Sequence, residues 1–341
     1  MFLSSYCIFN QSFWKCKQKN QKIVVLGTGG TIAGESESAD EGLSYKAAQR
    51  GIGELLKSAS SIPLPWPEIL AACQFEAEQV AQLDSKDMDF ETWTRLAQRC
   101  DHWLAQDDVA ALVITHGTDT LEETAYFLSQ VLNHSKPIVF TCAMRPANFK
   151  DADGPQNLRH ALLVAASTKG AGVWLVAAGE IHHSQFVQKV HPTRLNAFDS
   201  GETGAAGSVQ NDKVLWFENF NKPLPNLRLH VSQLLMPAQW PWVEIVMNHV
   251  NASQKHVDAL VSAGVQGLVF AGTGNGSVSS KMKESLLRAQ IAQVQIRLSS
   301  RCNQGAVVPT VNHVFDTSGA LSPVKTRVAL LLDMMSQQQS H

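Results

Sequence analysis

The sequence predicts an α/β protein with two domains: a larger N-terminal domain built on a mostly parallel mixed sheet covered by helices, and a smaller C-terminal parallel α/β domain. Short apolar, β-branched runs alternate with segments of helical spacing along most of the 341 residues. This alternation is typical of parallel sheets covered by helices. A stretch rich in proline and asparagine interrupts it once, over residues 217–241, and such stretches connect domains.

The elements of the N-terminal half follow from apolar runs and from helix-capping residues. Asp89 precedes a helical pattern that runs to Leu104, and a carboxylate suits the start of a helix. Glu122 and Glu123 lie in the first turn of the next predicted helix, where the helix dipole favours anions. Strands are predicted over residues 23–26, 109–115, 137–143 and 172–177, and further helices over residues 45–58 and 154–168.

The C-terminal third repeats the alternation on a smaller scale. Strands are predicted over residues 243–247, 267–271 and 296–298, and helices over residues 253–263, from about Ser279, and over 323–335. The predicted organisation is an extension over residues 1–21, a catalytic domain over 22–216, a linker over 217–241 and a second domain over 242–341.

Composition and charge exclude several classes of function. Apolar residues make up 44% of the chain and the formal charge is −2, which is ordinary for a soluble globular protein. No basic run predicts a nucleic-acid partner, and no apolar stretch is long enough for a membrane span. The six cysteines are scattered without a C-x-x-C pair, which argues against zinc and against a disulfide framework and favours the cytoplasm.

The first twenty residues fit a signal peptide poorly. A secretory signal needs a basic start and an apolar centre, but this start is uncharged and Asn10 and Gln11 interrupt the centre. We therefore expect these residues to be an extension that contributes little to the fold, with a degenerate export signal as the alternative.

Two strand-to-turn segments carry the functional information. Residues 24–34 read VVLGTGGTIAG and residues 112–124 read LVITHGTDTLEET. Each is an apolar run that ends in a glycine turn with a threonine, and open α/β sheets place ligands where strands end. Thr31, Thr118 and Asp119 therefore predict an active site made of hydroxyls and a carboxylate.

Simpler interpretations of these residues stay open. The first turn lacks the third glycine of a dinucleotide fingerprint, because Ile32 stands there, and no G-K-[ST] follows. Thr31 could be a nucleophile activated by Tyr45, brought to it by the polar loop 35–44, or it could only cap the turn. Thr118 and Asp119 could simply cap a helix.

Taken together, these segments resemble the bacterial L-asparaginase/glutaminase family. TGGTIAG (28–34) and THGTDTLEETAYFL (115–128) match its two signature motifs almost letter for letter. Smaller similarities are AMRP (143–146), ADGP (152–155), DSKDM (84–88), NAS (251–253) and GNGS (274–277). The resemblance covers roughly residues 22–335.

The resemblance implies hydrolysis of the asparagine side-chain amide to aspartate and ammonia, with no metal and no cofactor. Thr31 then corresponds to the nucleophile that forms an acyl-enzyme, and Tyr45 to a lid tyrosine that helps to activate it. Thr118 and Lys189 correspond to residues that handle protons and water. Asp119 corresponds to the residue that holds the α-ammonium group of the substrate.

Further positions take roles from the same resemblance. Ser85 corresponds to the serine that binds the α-carboxylate, and Ala143 to a residue whose backbone carbonyl meets the amide nitrogen. Asn251 corresponds to an asparagine that a neighbouring subunit lends to the site. The implied assembly is a homotetramer, a dimer of dimers, with two α/β domains per subunit, the C-terminal one flavodoxin-like.

Two positions depart from the family pattern. Lys86 stands where secreted relatives usually carry glutamine, and it could pair with the substrate carboxylate and tighten the pocket, so we expect glutamine to be a poor substrate. Residues 304–315 lack the glutamate that secreted relatives place there. That role is then vacant or taken by another group, for which Asn312 is a candidate.

Two other functions use the same motifs. One is the amidase subunit of a tRNA-dependent amidotransferase, although the chain shows no basic face for tRNA. The other is a non-catalytic amino-acid sensor, which the intact set of Thr31, Thr118, Asp119 and Lys189 disfavours.

Overall fold

The computed structural model describes residues 21–38, 44–167, 171–218, 220 and 227–339. The predicted N-terminal extension lies almost entirely outside these residues, as do parts of the loop 35–44 and of the predicted linker. No helix within the described ranges is long and apolar enough to cross a bilayer.

A mixed sheet of eight strands forms the larger part of the fold. Its strand order is β10-β9-β6-β5-β4-β3-β1-β2. The strands from β2 to β5 run parallel, and β6, β9 and β10 pair antiparallel at one edge. The strand bounds are β1 Lys22–Gly29, β2 Gln74–Leu83, β3 Val109–Thr115, β4 Pro137–Thr141, β5 Gly172–Ala177, β6 Glu180–His183, β7 Gln188–Lys189, β8 Phe198–Asp199, β9 Gly207–Gln210 and β10 Lys213–Trp216, where β7 and β8 form a separate two-stranded ribbon.

A smaller, fully parallel sheet follows, in the order β11-β12-β13-β14. Its strands are β11 Val243–Met247, β12 Gly267–Gly272, β13 Gln295–Ser300 and β14 Asp316–Thr317. The helices of the chain are α1 Ile52–Ser60, α2 Glu68–Ala71, α3 Phe90–Leu104, α4 Leu121–Val131, α5 Gly154–Ser167, α6 Gln254–Ser262, α7 Ser280–Ile291 and α8 Pro323–Gln339.

Helices cover both faces of each sheet. In the large sheet, α3, α4 and part of α8 bury one face, and α1 and α5 bury the other. In the small sheet, α6 and α7 cover one face and α8 covers the other. Because α8 contributes buried residues to both cores, it packs the small sheet against the large one.

The predicted fold class is confirmed, and several elements match closely. Strands β3, β5 and β11 have the predicted bounds, and Asp89 caps α3 by accepting a hydrogen bond from Thr92 N. The predicted helix over 45–58 is partly wrong, since α1 begins only at Ile52. The backbone N–H of Ala48 bonds instead to the carbonyl of Gly30, and Ala48 adopts φ 57°, which a helix does not allow.

The edge strands of the large sheet and the two strands of the ribbon were not predicted. Strand β2 reads QFEAEQVAQL and is mostly half-buried or exposed. An edge strand that is only partly covered does not need a continuous apolar run, so its sequence gives no clear strand signal. Strands β6 to β10 have at most four residues each, too few to show a period.

An ion pair between a buried arginine and a partly exposed aspartate fastens the β9–β10 hairpin to α5. Asn211 and Asp212 form the turn with φ values of 49° and 58°, which Asn and Asp tolerate better than most residues. The Arg159 side chain is fully buried, and its guanidinium donates to both oxygens of the Asp212 carboxylate at 2.9 and 2.6 Å. This pairing lowers the pKa of Asp212.

We predict that Asp212→Asn destabilises the protein by about 3 kcal/mol, because it leaves the buried Arg159 cation uncompensated while the turn keeps a residue that accepts positive φ. The pKa of Asp212 is lowered by folding, so its stabilising contribution exists above the unfolded-state pKa and is lost as the pH falls. Urea denaturation should therefore show the difference at pH 7, shrinking below about pH 4. Exposed Asp107→Asn is the control, and an equal effect of the two variants would contradict the account.

Candidate functional site

The turns after β1 and β3 lie in direct contact. Thr28 Oγ1 donates to the carbonyl of Thr115 at 2.9 Å, which ties the two strand ends together. Gly30 follows with φ 79°, and a Cβ atom on it would lie 2.3 Å from the Cα of Gly117. No side chain fits in that space, so the two backbones approach as closely as glycine allows. This contact brings the residues that follow, Thr31 and Thr118, to one place.

A third turn, after β2, completes the floor of the site. Ser85 is buried there, and its Oγ accepts a hydrogen bond from the backbone N–H of Asp119 at 3.2 Å. Thr120 Oγ1 donates to the carbonyl of Ser85 at 2.7 Å. Because Ser85 Oγ accepts from the backbone, its own hydrogen is left to donate, as binding of a carboxylate requires.

Tyr45 lies over the first threonine. Its hydroxyl is 2.6 Å from Thr31 Oγ1, and a backbone bridge between Glu35 and Lys46 closes the loop that carries it. Thr31 is only 5% exposed. Burial raises the pKa of Tyr45, and the nearby carboxylates Asp84 and Asp119 raise it further. The phenol is therefore neutral near pH 7, as a proton-carrying hydrogen-bond partner of Thr31.

Lys189 reaches the second threonine from the β7–β8 ribbon. Its Nζ donates to Thr118 Oγ1 at 2.8 Å and to Asp119 Oδ1 at 2.6 Å. The lysine side chain is mostly buried, whereas the Asp119 carboxylate is 52% exposed. Since Thr118 accepts from Lys189, its hydroxyl hydrogen is left for another acceptor. Lysines on short strands are usually solvated, but this one is held by two side chains of the site.

The loop after β4 is held by residues that the sequence analysis did not single out. Asn157 Nδ2 donates to the carbonyl of Cys142 at 3.0 Å, next to buried Ala143. The Asp153 carboxylate accepts from the backbone N–H groups of Met144 and Arg145, both at 3.0 Å. Asp153 belongs to the ADGP motif, which is one of the family similarities but for which the sequence predicts no role of the carboxylate.

Three further candidates lie apart from this cluster. Lys86 is two-thirds exposed and forms a 2.8 Å ion pair with Asp84, which raises the pKa of Lys86. Asn251 is exposed, with φ 60°, in the turn between β11 and α6. Asn312 lines a cavity of about 370 Å³ on the small-sheet domain, together with Asn275 and His313. The roles of these residues stay predictions.

His116, next to the second turn, fits a structural role. It is fully buried, and its Nδ1 lies 2.7 Å from the carbonyl of Gly117. Burial lowers the pKa of His116 to about 4, so the ring is neutral at pH 7. Since a carbonyl can only accept, Nδ1 carries the hydrogen. In the part of the chain that the structure describes, no group of three or more His, Cys, Asp or Glu side chains is placed to hold a metal ion.

The chain matches two family models, one described as Asparaginase, N-terminal, over residues 22–222, and one described as Glutaminase/Asparaginase C-terminal domain, over residues 242–341. It is 35% identical over 321 residues to L-asparaginase 2 of Bacillus subtilis, covering 93% of this chain and 83% of that protein. It is also 35% identical over 340 residues to a glutaminase-asparaginase of Pseudomonas fluorescens, covering 95% and 89%. The crystal structure of a probable cytoplasmic L-asparaginase from Campylobacter jejuni matches with a TM-score of 0.83 and 33% identity, over 94% of this chain and 97% of that one.

We predict that Gly117→Ala destabilises the protein by about 2 kcal/mol through overpacking. The new Cβ would lie 2.5 Å from Ser85 Oγ and 3.2 Å from the Cα of Gly30. Urea denaturation measures the loss. The control is Gly53→Ala, in α1, where nothing lies within 4 Å of the added atom and where alanine favours the helix. Equal stability of Gly117→Ala and the parent protein would show that the three turns are not tightly packed.

Proposed function

Because the chain belongs to the glutaminase/asparaginase family, we propose that it is an L-asparaginase that hydrolyses the side-chain amide of L-asparagine through an acyl ester on Thr31. The observation that carries this proposal is the pairing of two hydroxyl groups with two proton carriers. Thr31 bonds to Tyr45, and Thr118 bonds to Lys189, on turns that touch through Gly30 and Gly117.

Acylation uses both pairs. Thr31 Oγ1 attacks the carboxamide carbon, and its proton passes by way of the Tyr45 hydroxyl to the departing nitrogen. Lys189 gives a second proton through the hydroxyl of Thr118, so that the nitrogen leaves as ammonium and Lys189 is left neutral. An amide is a poor leaving group, and this protonation makes its departure possible.

Deacylation reverses the proton path. Thr118 removes a proton from water and passes its own to neutral Lys189, and the hydroxide attacks the ester carbonyl. The ester bond to Thr31 breaks, the proton of the new carboxyl group returns to Thr31 Oγ1, and the product leaves as aspartate. Asparagine and water are thereby converted into aspartate and ammonium, with Lys189 returned to its charged form.

The same turns hold the two charged groups of the substrate backbone. Asp119 is half-exposed, and a carboxylate offers about four acceptor positions, so its pairing with Lys189 leaves capacity for the α-ammonium group. The hydroxyl of Ser85 donates to the α-carboxylate. In this proposal the carbonyl of Ala143 receives the amide N–H, in a loop fixed by Asn157 and Asp153.

Selectivity, assembly and compartment complete the proposal. Lys86 breaks its ion pair with Asp84 and pairs with the substrate carboxylate instead. This tightens the pocket and favours the shorter side chain of asparagine, so glutamine is a poor substrate. Asn251 reaches the site of a neighbouring subunit in a homotetramer. The compartment is the cytoplasm, which is supported by free thiols at Cys100, Cys142 and Cys302.

We predict that Thr31→Ala lowers kcat for asparagine about a thousandfold or more, because the nucleophile is lost. Thr31→Ser should keep measurable turnover, since it retains a hydroxyl. Ammonia release, together with circular dichroism to verify folding, is the measurement.

The control for this prediction is Thr94→Ala, which removes a remote threonine on α3 whose hydroxyl bonds only within its helix. Retention of more than a tenth of kcat by Thr31→Ala would exclude Thr31 as the nucleophile. Binding of asparagine without ammonia release by the unaltered protein would support a sensor instead.

We predict that Lys86→Gln lowers the ratio of kcat/KM for asparagine to that for glutamine about tenfold. The reason is that a neutral amide holds the substrate carboxylate less tightly, which loosens the pocket and admits the longer side chain of glutamine. Exposed Lys57→Gln, on α1, is the control. Comparable kcat/KM for both amino acids in the unaltered protein would remove the selectivity proposal, while leaving the hydrolytic mechanism intact.

A further inference from the structure

A buried lysine of the C-terminal helix lies behind the proposed active site. Lys325, in the first turn of α8, is only 1% exposed. Its Nζ donates to the backbone carbonyls of Gln185, at 3.2 Å, and of Val187. Burial of an ammonium group is costly unless it is paired, so a buried lysine with these contacts is expected to have a specific role.

Both carbonyls belong to the segment that leads into β7. Val187 is fully buried and precedes Lys189 by two residues. The Lys189 side chain is flexible, so the position of its Nζ depends on where the backbone holds the Cα atom of Lys189. Lys325 holds that backbone from the side of the small-sheet domain.

The other neighbour of Lys325 is the start of α4. Glu122 and Glu123 lie in the first turn of that helix, and both act electrostatically on Lys325. Glu122 Oε2 is buried and has no hydrogen-bond partner among the described residues. Burial raises the pKa of Glu122 to about 7, and the nearby Lys325 opposes that rise. Helix α4 begins directly after residues 118–120. Lys325 therefore lies between the segment that carries Thr118 and the segment that carries Lys189, whose side chains must meet.

We propose that Lys325 is a positioning residue that holds Lys189 against Thr118, so that the C-terminal domain takes part in the reaction of its own subunit. The inference rests on the proposed function, in which Lys189 moves protons through Thr118. The Nζ–Oγ1 separation of 2.8 Å has little tolerance, since a displacement of about 1 Å can cost on the order of a hundredfold in rate.

The test is Lys325→Met, which keeps most of the length of the side chain and removes its charge and donors. We expect kcat for asparagine to fall about tenfold, with KM within threefold of the unaltered enzyme. The matched control is Lys136→Met. Lys136 also donates to two backbone carbonyls, those of Leu104 at 2.9 Å and Gln106 at 2.5 Å, but it lies at the opposite end of β4, so kcat should change less than twofold.

A double-mutant cycle separates positioning from general damage. If Lys325 acts through Lys189, the variant Lys325→Met with Lys189→Met should be no slower than Lys189→Met alone. Multiplied losses in the double variant, or a loss below threefold for Lys325→Met, would overturn the inference. If Lys325→Met does not fold, Lys325→Gln takes its place in the same cycle, with the same two criteria.

The cycle also distinguishes the inference from the proposed function. Full activity of Lys189→Met, or no ammonia release by the unaltered enzyme, would contradict the proposed function itself. Impaired Lys189→Met beside an unimpaired Lys325→Met would contradict only the role of Lys325.

Discussion

The candidate site depends on a contact between two backbones. A Cβ atom on Gly30 would collide with the backbone of Gly117, and one on Gly117 would collide with Ser85 of the third turn. The strands that precede Gly30 and Gly117 are neighbours in a parallel sheet. Parallel strands end at the same edge, so the sheet brings the turns together and the glycines let them touch. Thr31, Thr118 and Ser85 face one region because of this contact.

Positive and negative charges lie close together around this contact. Lys189 pairs with Asp119, and Lys325 lies beside Glu122 and Glu123. The hydroxyls of Thr118 and Ser85 accept hydrogen bonds from the protein and keep their own hydrogens for a substrate. An arrangement of this kind is organised before the substrate arrives, which is the condition for electrostatic catalysis in a partly closed site.

The fold class and the two threonine turns could be predicted from the sequence, because continuous β-branched runs and glycines are local signals. Lys189 and Ser85 could be assigned only through the family resemblance, since nothing near them in sequence points to their partners. Tyr45 could be suggested from the polar loop before it, but only as one of two open interpretations of Thr31. Asn157 and Lys325 were not predicted at all. Their hydrogen bonds join residues that are 15 and 138 positions apart, and tertiary packing alone decides such contacts. The helix expected at Tyr45 is absent for a related reason, because residues 46–48 bond to the first turn instead.

The central claim is that the two turns form one cavity for one amino acid. The most direct test is a crystal structure with L-aspartate bound. The account predicts the side-chain carboxyl between Thr31 Oγ1 and Thr118 Oγ1, the ammonium group on Asp119 and the α-carboxylate on Ser85. Aspartate bound elsewhere, or the two threonine oxygens facing separate cavities, would contradict it.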